Sequence, residues 1–154
     1  MREYVVTCCS TADMSRTFME TNEVPFAMFH YQLDGKEYAD DLYSSISPEV
    51  FYKMIGDGAQ PVTSQVNAEA YCALFEPVLK SGKDVLHLTL SSGISGSINS
   101  ANVAKTQMEE KYPDRRVMVV DSLAASSGYG MLVEQTLENQ RAGMSLEENA
   151  AWIV

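Results

Sequence analysis

Residues 86–101, LHLTLSSGISGSINSA, run from alternating apolar positions into two glycines and several hydroxyl side chains, and then into a helical pattern. This order predicts a strand, a Ser/Gly turn and a helix start. The first N–H groups of a helix lack backbone partners and lie at the positive end of its dipole, so such a place favours a carboxylate or a phosphate. Serine and glycine also serve as ordinary cap and turn residues. The anion site therefore needs support from elsewhere in the chain.

Three further segments carry hydroxyl side chains beside predicted strand ends. They are residues 7–13, the triplet Thr63-Ser64-Gln65 and residues 121–127, in addition to 91–97. In open α/β sheets, ligands gather outside the carboxyl ends of the strands. We expect the four segments to meet at that edge, where hydroxyl and N–H groups would hold an anion without a buried positive charge.

The elements that must position these segments alternate between strand and helix. Strands are predicted over 4–7, 24–33, 85–90 and 117–120, with a hairpin turn at Asp34-Gly35. Helices are predicted over 15–20, from Ser47-Pro48 to Gly56 or Gly58, from Asn67 or Ala68 to Ser81-Gly82, over 98–111 and over about 128–140. This alternation predicts an α/β fold with a parallel sheet in three layers, of the Rossmann-like kind.

Composition excludes several classes of function. The chain has 154 residues, 45% of them apolar, which is one domain with a sizeable core. No stretch approaches the roughly 20 apolar residues of a membrane span, and the first residues do not form a signal peptide, so we expect a cytoplasmic protein without a membrane span. A formal net charge of −10 argues against nucleic acid as a partner.

The cysteines leave two interpretations open. Cys8, Cys9 and Cys72 form neither an even set nor a zinc spacing, so buried or loop thiols are favoured over a redox role.

The last helix also leaves two interpretations open. Ser145 and Glu148 predict a capping box for a helix that runs to Val154. That helix is either cut by the end of the chain or packed on the core as a frayed terminal helix.

Six short motifs in order resemble the N-terminal domain of the DegV family of fatty-acid-binding proteins. The motifs are STAD at 10–13, GKEYAD at 35–40, SPEVFY at 47–52, PVTSQ at 61–65, SSGISG at 91–96 and Asp121-Ser122 with Ser126 and Gly128. The resemblance covers essentially the whole chain, from 1 to 154. It implies that the second domain of a two-domain protein is absent from this sequence.

The resemblance also implies a function. Proteins of this family hold a long-chain fatty acid between two domains, and the matching carboxylate ligands here are Thr63 and Ser92, with Ser91 and Ser95 beside them. Ser10, Ser64, Ser122 and Ser126 are expected nearby. Some relatives present the acid to a fatty-acid kinase subunit, so this chain would be a carrier and not an enzyme, with the fatty acid as ligand and no cofactor.

The sequence departs from the family pattern at two places. Cys9 stands where the family carries an aspartate before Ser-Thr-Ala-Asp, which removes a negative charge close to the expected head group. Ser97-Ile98 replaces the usual Thr-Tyr.

Two other classes of function stay open. A serine hydrolase or transferase would use Ser95 as nucleophile with His30 or His87 as base. However, Ser95 is not in a GxSxG elbow, and His87 is predicted to be a core histidine. A phosphate- or nucleotide-binding domain is the other class, but the sequence contains neither the GxxxxGK[ST] loop nor a GxGxxG motif.

The methionines, such as Met28, Met54, Met118 and Met131, would line an acyl channel or fill the core.

Overall fold

The computed structural model describes residues 3–154 and contains a parallel sheet between two helical layers. The sheet strands are β1 (Tyr4–Cys9), β2 (Phe26–Ala27), β6 (Asp84–Thr89) and β7 (Val117–Asp121), in the order β2-β1-β6-β7. Every pairing is parallel. All residues of β6 are buried, as expected for a central strand covered on both faces. The predicted α/β class is confirmed.

Four of the six helices begin directly after a capping side chain, and the helix predicted from about 128 begins at Ser126. They are α1 (Arg16–Thr21), α2 (Pro48–Gly56), α3 (Ala68–Lys80), α4 (Ser97–Lys111), α5 (Ser126–Arg141) and α6 (Leu146–Ile153). α3 and α4 pack together on one face of the sheet, and α5 and α6 on the other. The capping box of Ser145 and Glu148 is present, and α6 buries Leu146, Ala150 and Ile153.

The single extended run predicted over 24–33 is wrong. β2 ends at Ala27, and the chain then starts β3 (His30–Leu33), which belongs to a separate antiparallel sheet with β4 (Lys36–Ala39) and β5 (Val62–Ser64). The break occurs at Phe29, because its N–H donates to Ser10 Oγ and its carbonyl accepts from the Asp40 N–H. The predicted hairpin turn at Asp34-Gly35 is confirmed, with both residues at positive φ.

The structure also shows the state of the cysteines, the positions of the methionines and the character of the helices. All three cysteines are free thiols, with Cys8 and Cys9 buried. Met118 packs against the core, whereas Met28 and Met131 are exposed. Among residues 3–154, no helix combines the length and the apolar content that a bilayer crossing needs.

Candidate functional site

Strands β1, β6 and β7 end at the same edge of the sheet, and the loops that follow β6 and β7 are bonded to each other. The Ser91 N–H donates to the Ala124 carbonyl at 3.1 Å, and the Ser92 N–H donates to the Asp121 carboxylate at 3.1 Å. Against the raising effect of burial, hydrogen bonds from Ser92 and Leu123 hold the pKa of Asp121 below its ordinary value. Two of the predicted hydroxyl-rich segments therefore form one structure.

Within the 91–97 loop, the three predicted serines differ in what their hydroxyls do. Ser91 is buried, and its Oγ accepts from the Gly93 N–H at 3.2 Å. Ser95 is half-buried, and its Oγ accepts from the Ser97 N–H at 3.2 Å. Ser92 is exposed, and both its backbone N–H and its side chain are hydrogen-bonded to the Asp121 carboxylate.

The expectation that Thr63, Ser64 and Gln65 form a loop after a strand of the main sheet is wrong. Thr63 and Ser64 lie within β5, where they pair with Tyr31 and His30. β5 pairs with β3, which already pairs with β4 in the hairpin and is not part of the main sheet. The three short strands therefore form a second sheet in the order β4-β3-β5.

Gln65 nevertheless brings β5 to the 91–97 loop. A Cβ atom built on Gly96 would lie 3.1 Å from the side-chain amide of Gln65, so the amide rests directly on the Gly96 backbone. Gly96 is the residue before α4. The structure thus places the segment that carries Thr63 beside the loop that carries Ser92.

The remaining four predicted residues occupy different places. Ser10 is buried, and its Oγ accepts from the Phe29 N–H. Ser64 is exposed and donates weakly to the His30 carbonyl at 3.5 Å. Ser122 is buried and bonds the backbone of Ala124 in both directions. Ser126 is exposed at the start of α5 and has a positive φ of 49°.

The two helices that start at this edge are the ones without side-chain caps. α1, α2, α3 and α6 are capped by Ser15, Ser47, Asn67 and Ser145. Gly96 before α4 and Ala125 before α5 make no side-chain cap hydrogen bond. The Ser97 N–H of α4 donates to Ser95 Oγ instead, and a helix start at this edge is a favourable place for an anion.

Thr63 also lines a cavity of about 240 Å³. The walls are largely apolar, with Phe29, Tyr31 and Phe51 among them, and Asp13, Asp40 and Asp41 also line the cavity. Among residues 3–154, Thr63 is the one predicted site residue in this lining. Thr63 thus lies on the cavity, whereas Gln65 of the same segment contacts the 91–97 loop.

A buried polar network behind the edge was missed by sequence reasoning. The hydroxyls of Tyr71 and Ser97 share a hydrogen bond of 2.5 Å, and Cys9 Sγ lies 3.3 Å from the Tyr71 hydroxyl. Burial raises the pKa of Cys9 and also the pKa of Tyr71. The helical spacing of apolar residues predicts a core position for Tyr71, but nothing local indicates which hydroxyl it meets.

His87 belongs to the same buried network, as the sequence predicted. Its Nδ1 is hydrogen-bonded to Thr7 Oγ1 at 2.8 Å, and its ring packs edge-on against Tyr71 and Phe75. Burial lowers its pKa to about 3. Because both its ring nitrogens face core groups, Thr7 and Cys9, His87 is not placed to serve as a base for Ser95.

Comparison with known proteins assigns the chain to a family. The family model described as "Uncharacterised protein, DegV family" matches residues 5–154. This chain belongs to the DegV family. A DegV domain-containing protein of Clostridium perfringens is 33% identical over 153 residues, which are 99% of this chain and 53% of that protein.

Solved DegV structures share the architecture described above. A fatty-acid-binding DegV family protein of Thermus thermophilus superposes with a TM-score of 0.85 at 32% identity, over 99% of this chain and 52% of that one. A stearic-acid-binding protein of Eubacterium ventriosum gives a TM-score of 0.87 at 28% identity, over 97% and 52%. The chain spans about half the length of the DegV relatives it matches.

Proposed function

We propose that this chain supplies the carboxylate-holding edge of a fatty-acid carrier. The observation that carries the proposal is the contact of Gln65 with Gly96, because it holds the segment of Thr63 against the loop of Ser92 at the start of α4. The DegV family protein of Thermus thermophilus binds a fatty acid, and the Eubacterium ventriosum protein, which shares this fold, is a stearic-acid-binding protein. Thr63 and Ser92 would donate to the carboxylate, and Ser91 and Ser95 would shape the loop around it.

The charged residues favour the Ser92 loop over the cavity for the head group. In the cavity, Asp13, Asp40 and Asp41 would repel a carboxylate. At the Ser92 loop, hydroxyl and N–H donors lie at a helix start, which is a favourable place for an anion, and the Asp121 carboxylate there already accepts from the Ser92 and Leu123 N–H groups. Ser10, Ser64 and Ser122 support this edge through the backbone bonds that they make, and do not touch the ligand in this proposal.

The head group and the acyl tail contribute differently to the free energy of binding. A hydrogen bond to a charged group contributes about 1.5–3 kcal/mol. Each buried methylene contributes about 0.8 kcal/mol, so a long acyl tail offers on the order of 10 kcal/mol before the cost of ordering it. The tail therefore sets the affinity, and the hydroxyl edge sets the orientation of the acid. We expect a chain that carries the relatives' remaining length to bind more tightly than this one.

The proposed role is that of a carrier that presents the acid to a fatty-acid kinase subunit, in the cytoplasm. Its support is the exposed position of Ser92, since a head group at this edge would stay within reach of a second protein. Phosphoryl transfer would be the work of that partner. Co-purification of this chain with a fatty-acid kinase subunit, and phosphorylation of a supplied acid only when both are present, would test the role.

Head-group binding is tested by Thr63→Val combined with Ser92→Ala. Both side chains are exposed, so the melting temperature should stay nearly unchanged while the affinity for a long-chain fatty acid, measured by calorimetry, falls at least about tenfold. Thr21→Val, an exposed substitution on α1, is the matched control and should leave affinity unchanged. Unaltered affinity in the double variant would show that the head group lies elsewhere.

A further inference from the structure

The 240 Å³ cavity between the small sheet and the loop after β1 has aromatic walls. Tyr31 and Phe51 meet edge to face with ring centroids 5.3 Å apart, and the outer face of this group is closed by Tyr38, stacked on Tyr31 at 5.5 Å. Tyr43 and Phe29 also line the space. Aromatic faces carry negative charge density and attract cations placed over them.

The lining contains three carboxylates and one imidazole. Asp13, Asp40 and Asp41 line the cavity together with His30. Arg16 bonds the backbone carbonyl of Asp41 and the Ser44 hydroxyl. Burial raises the pKa of Asp41, but hydrogen bonds from Ser45 and Ser44 and the charge of Arg16 hold it below its ordinary value. Among residues 3–154, no Lys or Arg forms an ion pair with Asp13 or Asp40.

Asp40 is the carboxylate held furthest inside. Burial raises its pKa, the neighbouring charges of Asp13 and Asp41 raise it further, and a hydrogen bond from Ser10 only partly offsets them. A half-buried carboxylate with two like charges beside it and no cation is a costly arrangement, which a bound cation would relieve.

A hydroxyl without a partner adds an independent observation. The Thr11 Oγ1 atom is buried and has no hydrogen-bond partner among residues 3–154, and Thr11 lines the same cavity. Buried hydroxyl groups are nearly always hydrogen-bonded in folded proteins. A ligand with N–H or O–H groups in the cavity would satisfy this oxygen.

We propose that this cavity binds a small organic cation, with an ammonium or guanidinium group held over Tyr31 and Phe51 and paired with Asp40. The volume is below the roughly 300–1,000 Å³ of sites for drug-sized ligands, so the ligand is a small one. The cavity includes Thr63, so this site adjoins the proposed carboxylate edge. The proposal rests on the lining of the cavity and not on fatty-acid binding.

Choline and its neutral isostere 3,3-dimethylbutanol separate charge from shape. We expect choline or methylguanidinium to shift the backbone amide signals of Tyr31 and Thr63 in a saturable NMR titration of this chain. Affinity for the cation should exceed that for the isostere by about tenfold or more. Equal affinity of choline and its isostere, or no saturable shift with either cation, would overturn the proposal.

Asp40→Asn and Tyr31→Leu should each weaken cation binding by about tenfold. Glu37→Gln removes an exposed carboxylate outside the cavity and should have no effect. If Asp40→Asn does not fold, Asp13→Asn provides the same test, since asparagine tolerates the positive φ of residue 13. A titration with decanoate that shifts the same amides, and does so more strongly in Asp40→Asn, would assign the cavity to acyl chains instead.

Discussion

The hydroxyl groups of Tyr71 and Ser97 lie 2.5 Å apart in the core, one on α3 and the other at the first residue of α4. Both side chains are completely buried. This bond fixes the start of α4 against α3, and the loop that carries Ser92 leads directly into that start. The candidate site is therefore supported from inside by a pair of residues that never reaches its surface.

Tyr71→Phe should lower the free energy of unfolding by about 1–3 kcal/mol, because it leaves the Ser97 hydroxyl and the Cys9 thiol without their partner. Chemical denaturation measures the change. Tyr52→Phe removes a hydroxyl from an exposed ring and should stay within about 0.5 kcal/mol of the parent. Equal stability of both variants would mean that the buried bond contributes nothing.

His87 should make stability depend on pH in a defined window. Its pKa in the folded chain is about 3, below the unfolded value of about 6.5, so the unfolded chain binds the extra proton. Its stabilising effect is complete above about pH 6.5 and is lost as the pH falls towards 3, with a slope of about 1.4 kcal/mol per pH unit. Denaturation midpoints measured from pH 7 to pH 4 for the parent and for His87→Gln should show the smaller slope in the variant. Parallel curves would contradict the prediction.

Gly130 should resist substitution where its neighbour Gly128 does not. A Cβ on Gly130 would lie 2.7 Å from the Ala12 carbonyl oxygen and 2.6 Å from Met14 Sδ, so Gly130→Ala must push α5 away from the loop after β1. We expect a loss of about 1–3 kcal/mol in thermal or chemical unfolding. A Cβ on Gly128 meets only Ala124 at 3.8 Å, and Gly128→Ala should be neutral or stabilising by up to about 1 kcal/mol.

Ser95 should not act as a nucleophile. Its hydroxyl accepts from the Ser97 N–H, and the ring nitrogens of His87 face Thr7 and Cys9. Hydrolysis of a p-nitrophenyl ester by this chain should equal that by Ser95→Ala. A rate that disappears in the variant would restore the hydrolase hypothesis.

Much of the local structure was predictable, because its signals lie within a few residues of one another. Ser47 before Pro48, Asn67 before α3 and the Ser145–Glu148 box each marked a helix start that the structure contains. The apolar run at 117–120 marked a strand in the same way, although β7 is an edge strand in which only Val117 and Val120 are buried. The Ser/Gly segment before α4 likewise indicated a helix start.

What the sequence by itself determined is thus the parallel α/β sheet and the hydroxyl-rich loops at its edge, since caps and periodicity are local properties. Only the tertiary structure decided that Thr63 lies in a second sheet and which buried side chains pack behind the 91–97 loop. The three residues of β5 are all exposed and show no alternation of apolar and polar residues. They form a strand only because they pair with β3, which lies about thirty residues earlier in the chain. The bond between Tyr71 and Ser97 and the acidic aromatic cavity likewise join residues from distant segments, and such contacts arise from packing that no short stretch of sequence encodes.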